Sequence, residues 1–255
     1  MAEADPVRES DDRAIFSRVT TTDLPDEPRG GKGSRTREAI LARGVALACT
    51  VGLGGLTIGR LAADAGLSKS GMYAHFGSKE ALQLAVLDAA ADQFSAAVIR
   101  PALRVPRGEA RVRALAEAWI ECGRIRQPGG CLFVKASTEL DEQPGPVRDR
   151  LRELHHELSR SIARMVVGGI REGQLGQDVD PEQFATDLHG VMLAYYHAHR
   201  LLSDPAAESR ARRAVDALLD AARPGRHRPS ATPPSPGAAA TPASVESAEM
   251  SGAPV

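Results

Sequence analysis

Proline and glycine divide this chain into segments that each carry a helical repeat of apolar residues and nowhere a strand repeat. Between residues 35 and 222 no stretch alternates apolar with polar side chains, and no β-branched run is closed by a hairpin turn. The periodicity predicts helices over 35–51, 57–64, 68–74, 78–99, 108–126, 130–142, 145–172, 181–202 and 205–222. The breaks fall at Gly52 with Gly54–Gly55, at Gly66, Gly77, Pro101 and Pro106, at Pro128–Gly129–Gly130, Pro144–Gly145–Pro146, Gly173 to Gly176, and Pro205. The longest segment has one apolar stripe, Val147, Leu151, Leu154, Leu158, Ile162, Met165 and Ile170. Asp180 before Pro181 is a helix start, a cap followed by proline at the first helical position. The expectation is an all-α fold of about nine helices.

The two ends do not share this pattern. Residues 1–33 mix acids, Thr, Pro and Gly, and residues 223–255 are a Pro, Ala, Ser and Thr tail. Neither can bury enough apolar surface to offset chain entropy, so both are expected to be disordered. No run of 18 apolar residues appears, which argues against a membrane-spanning helix. The start of the chain does not read as a secretory signal. Cys49, Cys122 and Cys131 cannot pair completely, and a reducing, cytoplasmic setting fits them best. Arginine outnumbers lysine 28 to 4 and asparagine is absent, as GC-rich codons in a bacterium produce.

Charge is unevenly placed. Residues 1–28 carry eight carboxylates against Arg8, Arg13 and Arg18. Residues 29–80 carry eight bases, among them Arg35, Arg37, Arg43, Arg60, Lys69 and Lys79, against Glu38, Asp64 and Glu80, a net charge of +5. Such a segment in a chain of net charge −1 suits a polyanion, and it also suits a plain solvated face. Aromatic residues are only 4%, which disfavours stacking-based readers of RNA or single strands.

Within the basic segment, residues 57–76 read as two short helices joined by a tight turn. Thr57 and Ser68 each offer an oxygen to the free N–H groups of a helix start. Gly66 sits where the chain reverses and can take a left-handed conformation without a Cβ clash. Ala62, four residues earlier, allows close helix approach, and Leu61, Leu67 and Met72 are the expected inner contacts. This is helix-turn-helix spacing, though spacing alone also fits a generic αα-hairpin. In a helix-turn-helix the second helix enters the major groove and would turn Lys69, Ser70, Tyr73 and His75 outward.

Residues 34–82, above all the string from Leu67 through Tyr73-Ala74-His75-Phe76-Gly77-Ser78-Lys79-Glu80-Ala81-Leu82, resemble the DNA-binding domain of TetR-family transcriptional regulators. The resemblance implies a three-helix DNA-binding domain over 34–82 and a helical effector-binding and dimerisation domain over 83–222. It implies a ligand-responsive regulator, not an enzyme: a homodimeric repressor on a palindromic operator, released by a small molecule. An activator of the same fold is an alternative. Thr57, Ser68, Lys69, Ser70, Tyr73, His75 and Lys79 become the candidate DNA-binding residues. Tyr73, His75 and Lys79 would hold phosphates, Thr57 would touch the backbone, and Lys69 and Ser70 would face bases. Phe76 would lock the recognition helix to the helix after it. Gly71 departs from the larger residue common at its position and removes one base contact. The arm from Arg29 to Arg35 would reach a minor groove or serve only as a linker. Helix 78–99 would join the domains, so that moving its start changes the spacing of two recognition helices. Helices 181–202 and 205–222 would pair with a second copy.

Other chemistries find little footing. His156-Glu157-Leu158-Ser159-Arg160 opens like a zinc-protease motif but lacks its second histidine, and neither glycine cluster has phosphate-loop or dinucleotide spacing. No cofactor or metal site is indicated. A redox or metal sensor built on Cys122, Cys131 and the numerous histidines is the remaining alternative. Trp119, Cys122, Phe133, Met192, Tyr195 and Tyr196 are the candidate effector pocket, since aromatic and sulfur side chains with a few polar tips suit an apolar or aromatic ligand. The same residues at helical spacing also suit a plain core.

Overall fold

The computed structural model describes residues 32–125 and 130–225. The described residues form helices joined by turns and short irregular links, with no strand among them. Nine continuous helices follow in order: α1 Lys32–Val51, α2 Ile58–Ala65, α3 Lys69–Phe76, α4 Lys79–Leu103, α5 Glu109–Ile125, α6 Leu132–Leu140, α7 Pro146–Arg171, α8 and α9 Ala207–Ala222. Helix α8 is Pro181–Tyr196 prolonged by a π turn, His197–Leu201. The leader 1–31 and the residues 226–255 of the tail lie outside the described residues.

Two apolar clusters organise the chain. One gathers α1, α2, α3, the first half of α4, α6 and the start of α7 around Leu53, Leu61, Met72, Leu82 and Leu87. The other gathers the second half of α4, α5, α8, α9 and the rest of α7 around Leu115, Ile120, Ile162 and Leu188. Helices α4 and α7 therefore run through both. Phe133 of α6 is the hydrophobic side chain packed against the two of them together.

Proline 101 was expected to end the fourth helix, but α4 continues past it to Leu103. A proline has no N–H and its ring crowds the carbonyl four residues back. The π turn Ser95–Ile99, ending two residues before Pro101, shifts the hydrogen-bond ladder there, so the helix proceeds without the missing bond. Buried Arg111 receives the end of α4, its Nε donating to the Val105 carbonyl at 3.0 Å and its Nη2 to that of Leu103 at 3.3 Å. By length and composition α4 could cross a membrane, but 56% of its apolar window is buried inside the fold, as in the spine of a core.

Charged pairs fasten α9 to α5. Arg212 meets Glu117 at 3.0 Å, Arg113 meets Asp216, and Arg223 meets Glu109 through two nitrogens at 2.9 and 2.8 Å. The Arg223 side chain, expected at the first residue of the tail, thus contacts the folded helices.

Candidate functional site

The turn between α2 and α3 is built from local bonds. Thr57 Oγ1 accepts from the Arg60 N–H at 3.2 Å, and Ser68 Oγ from the Gly71 N–H at 3.1 Å. Gly66 stands at φ 65°, ψ 29°, and its N–H reaches back to the carbonyls of Ala62 and Ala63. Each cap meets N–H groups that a short helix cannot satisfy itself. Leu61 and Met72 are fully buried between the helices, but Leu67, expected beside them, is 41% exposed. It follows the left-handed glycine and lies along a surface groove with Arg35, Ile40 and Arg43 of α1.

One face of α3 is open. Lys69, Ser70, Gly71, Tyr73, Ala74 and His75 are exposed, while Met72 and Phe76 turn inward. Phe76 is buried, with the Arg37 guanidinium over its ring at 5.4 Å. Tyr73 and His75 therefore lie on the open side of a helix fixed from beneath. A Cβ on Gly71 would stand 3.1 Å from Ser68 Oγ, so the residue that breaks the expected pattern also leaves room for the cap. Exposed Lys79 is already engaged: its Nζ donates to the Gly54 carbonyl at 2.7 Å. An ammonium has three donors, so two remain for a phosphate. Of the arm Arg29 to Arg35, residues 29–31 lie outside the described residues, and Arg35 is exposed on α1.

The α1–α2 loop is held from further away. Glu139 of α6 accepts from the N–H groups of Leu53 at 2.8 Å and Gly54 at 2.6 Å. A Cβ on Gly54 would lie 2.5 Å from Glu139 Oε1, so a larger residue there would push the carboxylate out of this position. Gln83 of α4 donates to the Leu53 carbonyl at 2.7 Å. Lys135 of α6 donates to the Cys49 carbonyl at 2.6 Å and that of Thr50 at 3.3 Å, placing a cation at the negative end of α1. Side chains of α4 and α6 thus satisfy both backbone groups of Leu53 and of Gly54. Sequence reading missed Glu139, Lys135 and Gln83, since their partners are 30 to 86 positions away.

The opposite side of α6 walls two adjoining cavities that share Phe94, Cys131 and Phe133. Of the expected pocket residues, Cys122 and Tyr196 line the first, Trp119 lines the second, and Phe133 lines both. Met192 and Tyr195 line neither. They are buried in the core, where the Tyr195 hydroxyl donates to the Ile120 carbonyl at 3.1 Å. The second cavity adds His155 and His189, which no local pattern distinguishes from surface histidines. Their rings lie 5.4 Å apart, and His189 meets Trp119 edge-on at 5.5 Å. His155 Nε2 is 2.9 Å from Ser137 Oγ of α6, and that hydroxyl donates to the Phe133 carbonyl at 2.8 Å. The ring must then be the donor to Ser137. Burial, with His189 and His156 nearby, pushes His155 down to about 4 and also lowers His189, so both are neutral at pH 7.

The three cysteines converge as free thiols. All three line the first cavity, and burial pushes Cys49 up to about 11 and raises Cys131 as well. Cys49 and Cys131 therefore stay protonated and are poor nucleophiles. Among the described residues no group of three or more His, Cys, Asp or Glu side chains could hold a metal.

Comparison with known proteins gives a consistent picture. Residues 40–86 match the family described as bacterial regulatory proteins, tetR family, and residues 108–215 match the tetracyclin repressor-like C-terminal domain. A TetR transcriptional regulator from Chloroflexus aurantiacus J-10-FL is 27% identical with a TM-score of 0.67, over 74% of this chain and 95% of that one. A TetR-family regulator from Cytophaga hutchinsonii shares the fold at 18% identity and a TM-score of 0.67, over 76% and 98%. A third similar structure is AibR in complex with isovaleryl coenzyme A and operator DNA, at 23% identity and a TM-score of 0.59, over 72% and 98%. No curated protein matches significantly.

Proposed function

Because this chain belongs to the TetR family of transcriptional regulators, we propose that it is a homodimeric, cytoplasmic repressor that holds a palindromic operator and releases it when a small molecule enters the helical core. Members of this family are regulators rather than enzymes. In this reading residues 34–82 bind DNA and residues 83–222 bind the effector and the second copy. The observation that carries it is the open face of α3. Lys69, Ser70, Tyr73 and His75 are exposed on a helix whose start is capped and whose underside is buried. Lys69 and Ser70, at the N-terminal end, meet base edges. Tyr73, His75 and Lys79 hold phosphates, with Thr57 and Ser68 at the helix starts nearest the backbone.

The pairing surface is the outer face of α8 and α9. Gly190, Leu193 and Ala194 are exposed along α8, and Ala217 and Ala221 along α9. Small residues there let helices of two copies approach closely, and Leu193, 44% exposed, supplies the apolar contact.

Release follows from the ties on α6. A ligand that parts α6 from α7 moves Glu139 and Lys135, and with them the α1–α2 loop that leads into the reading helices. The start of α4 shifts through Gln83 and Lys79, which hold the same loop. Two recognition helices whose separation changes can no longer meet half-sites about one helical turn, 34–36 Å, apart. The effector acts by favouring the state with the wrong spacing.

Selection from a random DNA pool at physiological salt tests this function. The expected result is enrichment of an inverted repeat. Enrichment of single half-sites removes the dimer from the reading, and no enrichment with or without candidate effectors removes sequence-specific binding.

A further inference from the structure

We propose that the cavity between Trp119, His155 and His189 takes an uncharged, largely apolar molecule bearing a carbonyl-type acceptor, and that the indole N–H of Trp119 receives that acceptor. The inference rests on the effector reading above and assigns its ligand a chemical class.

The first ground is Trp119 itself. Its side chain is 4% exposed, and its Nε1 has no hydrogen-bond partner. Buried donors are nearly always paired, and one left unpaired is costly. The ring is fixed by edge contacts to Phe94 at 5.5 Å and to His189 at 5.5 Å, so it is not free to turn toward another partner.

The second ground is the wall. Phe94, Phe133, Val134, Leu154 and Leu158 make it mostly apolar, and no lysine, arginine or carboxylate is among its described residues. The two histidines and the Cys131 thiol are its polar members besides the indole, and burial holds all three uncharged. A full charge would enter a site with no counter-charge. A carbonyl brings an acceptor without that cost.

The third ground is how the cavity opens. It is narrow, with room for about two waters. A larger guest has to part the walls, and one wall is the nine-residue helix α6, joined to α7 through Ser137 and His155. Filling this cavity therefore acts on the element that holds the α1–α2 loop.

Trp119 is the single tryptophan of the chain, so the protein labelled with nitrogen-15 gives one indole N–H resonance. Three molecules of matched shape are titrated into the full chain at pH 8, each to its solubility limit: 4-phenylbutan-2-one, butylbenzene and 3-phenylpropanoate. The ketone is expected to move the indole resonance downfield and to bind about fivefold more tightly than the hydrocarbon, the worth of one hydrogen bond. The carboxylate is expected not to bind. In Trp119→Phe, followed by thermal shift, the ketone's advantage should fall to about onefold. If that variant fails to fold, the ratio in the wild-type chain decides alone. Equal binding of ketone and hydrocarbon, tighter binding of the carboxylate, or no binding of any of the three overturns the proposal. The effector reading fails separately. Ketone binding that leaves operator affinity unchanged supports the ligand class and refutes release through this cavity. An inverted repeat selected by a protein that binds none of the three keeps the DNA reading and removes the ligand class.

Discussion

The reading head and α6 are both short, and they are held in opposite ways. Helices α2 and α3 have eight residues each, with caps made by Thr57 and Ser68 three positions from their partners and a left-handed glycine between them. Helix α6 has nine residues, and Cys131 before it provides no side-chain cap. Its ties run to residues 85 and 86 positions away and, 18 positions away, directly to His155 of α7. A helix of this length has little stability of its own. The reading head is therefore rigid for local reasons, whereas α6 sits wherever its distant partners hold it. The proposed ligand-operated regulator needs such a division: one part that keeps its shape through local bonds and one whose position is set by distant contacts.

The largest effect is expected from breaking the local side of this contrast. Leu61 is fully buried under α2. Leu61→Ala should cost about 2–5 kcal/mol in urea unfolding, because the cavity adds to the lost burial. Operator affinity should fall with it. A loss below about 1 kcal/mol would mean that the reading head repacks readily and is less rigid than its caps suggest.

Breaking the distant side should cost less stability and change control. Glu139→Gln keeps the shape but removes the anion that receives two N–H groups, and turns an amide toward one of them. Stability should drop by about 1.5–3 kcal/mol. Operator affinity should also weaken, with no change in sequence preference, although Glu139 belongs to no DNA-facing surface. Unchanged affinity in a destabilised but folded Glu139→Gln protein would show that α6 supports the fold without communicating with α3.

The same contrast explains what the sequence discloses. Fold class, nine helices, the two caps and the role of Gly66 are legible because each depends on residues within a few positions. The inward turn of Phe76 comes from the family resemblance, and the residue is buried as that implies. Leu67 was misplaced because its burial depends on how α1 crosses the turn. The passage of α4 through Pro101 depends on a π turn that no residue pattern announces. The two cavities were partly legible: Cys122 and Tyr196 line the first, Trp119 the second and Phe133 both, as aromatic or sulfur residues of converging helices. Met192 and Tyr195, of equal chemistry, turn into the core instead. Glu139, Lys135, His155 and His189 were not legible, because their roles exist only once α6 and α7 are brought against distant parts of the chain.

Acid should strain the α6 side before the reading head. His155 is neutral in the fold, with its pKa lowered from 6.5 to about 4 by burial and by His189 and His156 nearby. A lowered folded-state pKa of a histidine means stability that is present above pH 6.5 and is lost as pH falls toward 4. Between pH 7 and pH 5 this should remove about 1–2 kcal/mol. His155→Gln keeps a hydrogen-bonding partner for Ser137 without titrating. Thermal melts of that variant should lose less stability over the same interval than the wild type. Equal slopes would place the acid sensitivity elsewhere, with His189 next in line because burial lowers it too.

The smallest stability effect and the most specific binding effect are expected at Lys79, where the two modes of holding meet. Its ammonium is exposed and bonded to the Gly54 carbonyl, the residue whose N–H Glu139 holds from the other side. An exposed bond of this kind is worth about 0.5–1 kcal/mol at most, so Lys79→Ala should fold nearly normally. Removing a phosphate contact lowers affinity for all sequences alike and flattens the dependence of log affinity on log salt by about 0.9. If the slope flattens with the sequence preference intact, the lysine both ties the loop and neutralises a phosphate. If affinity falls while the slope stays fixed, its tie to Gly54 is the whole contribution, and the effect reaches α3 through the loop as in Glu139→Gln. A change in the preferred sequence would show that the loop sets where α3 lies in the groove, and the rigid reading head would then extend back to residue 54.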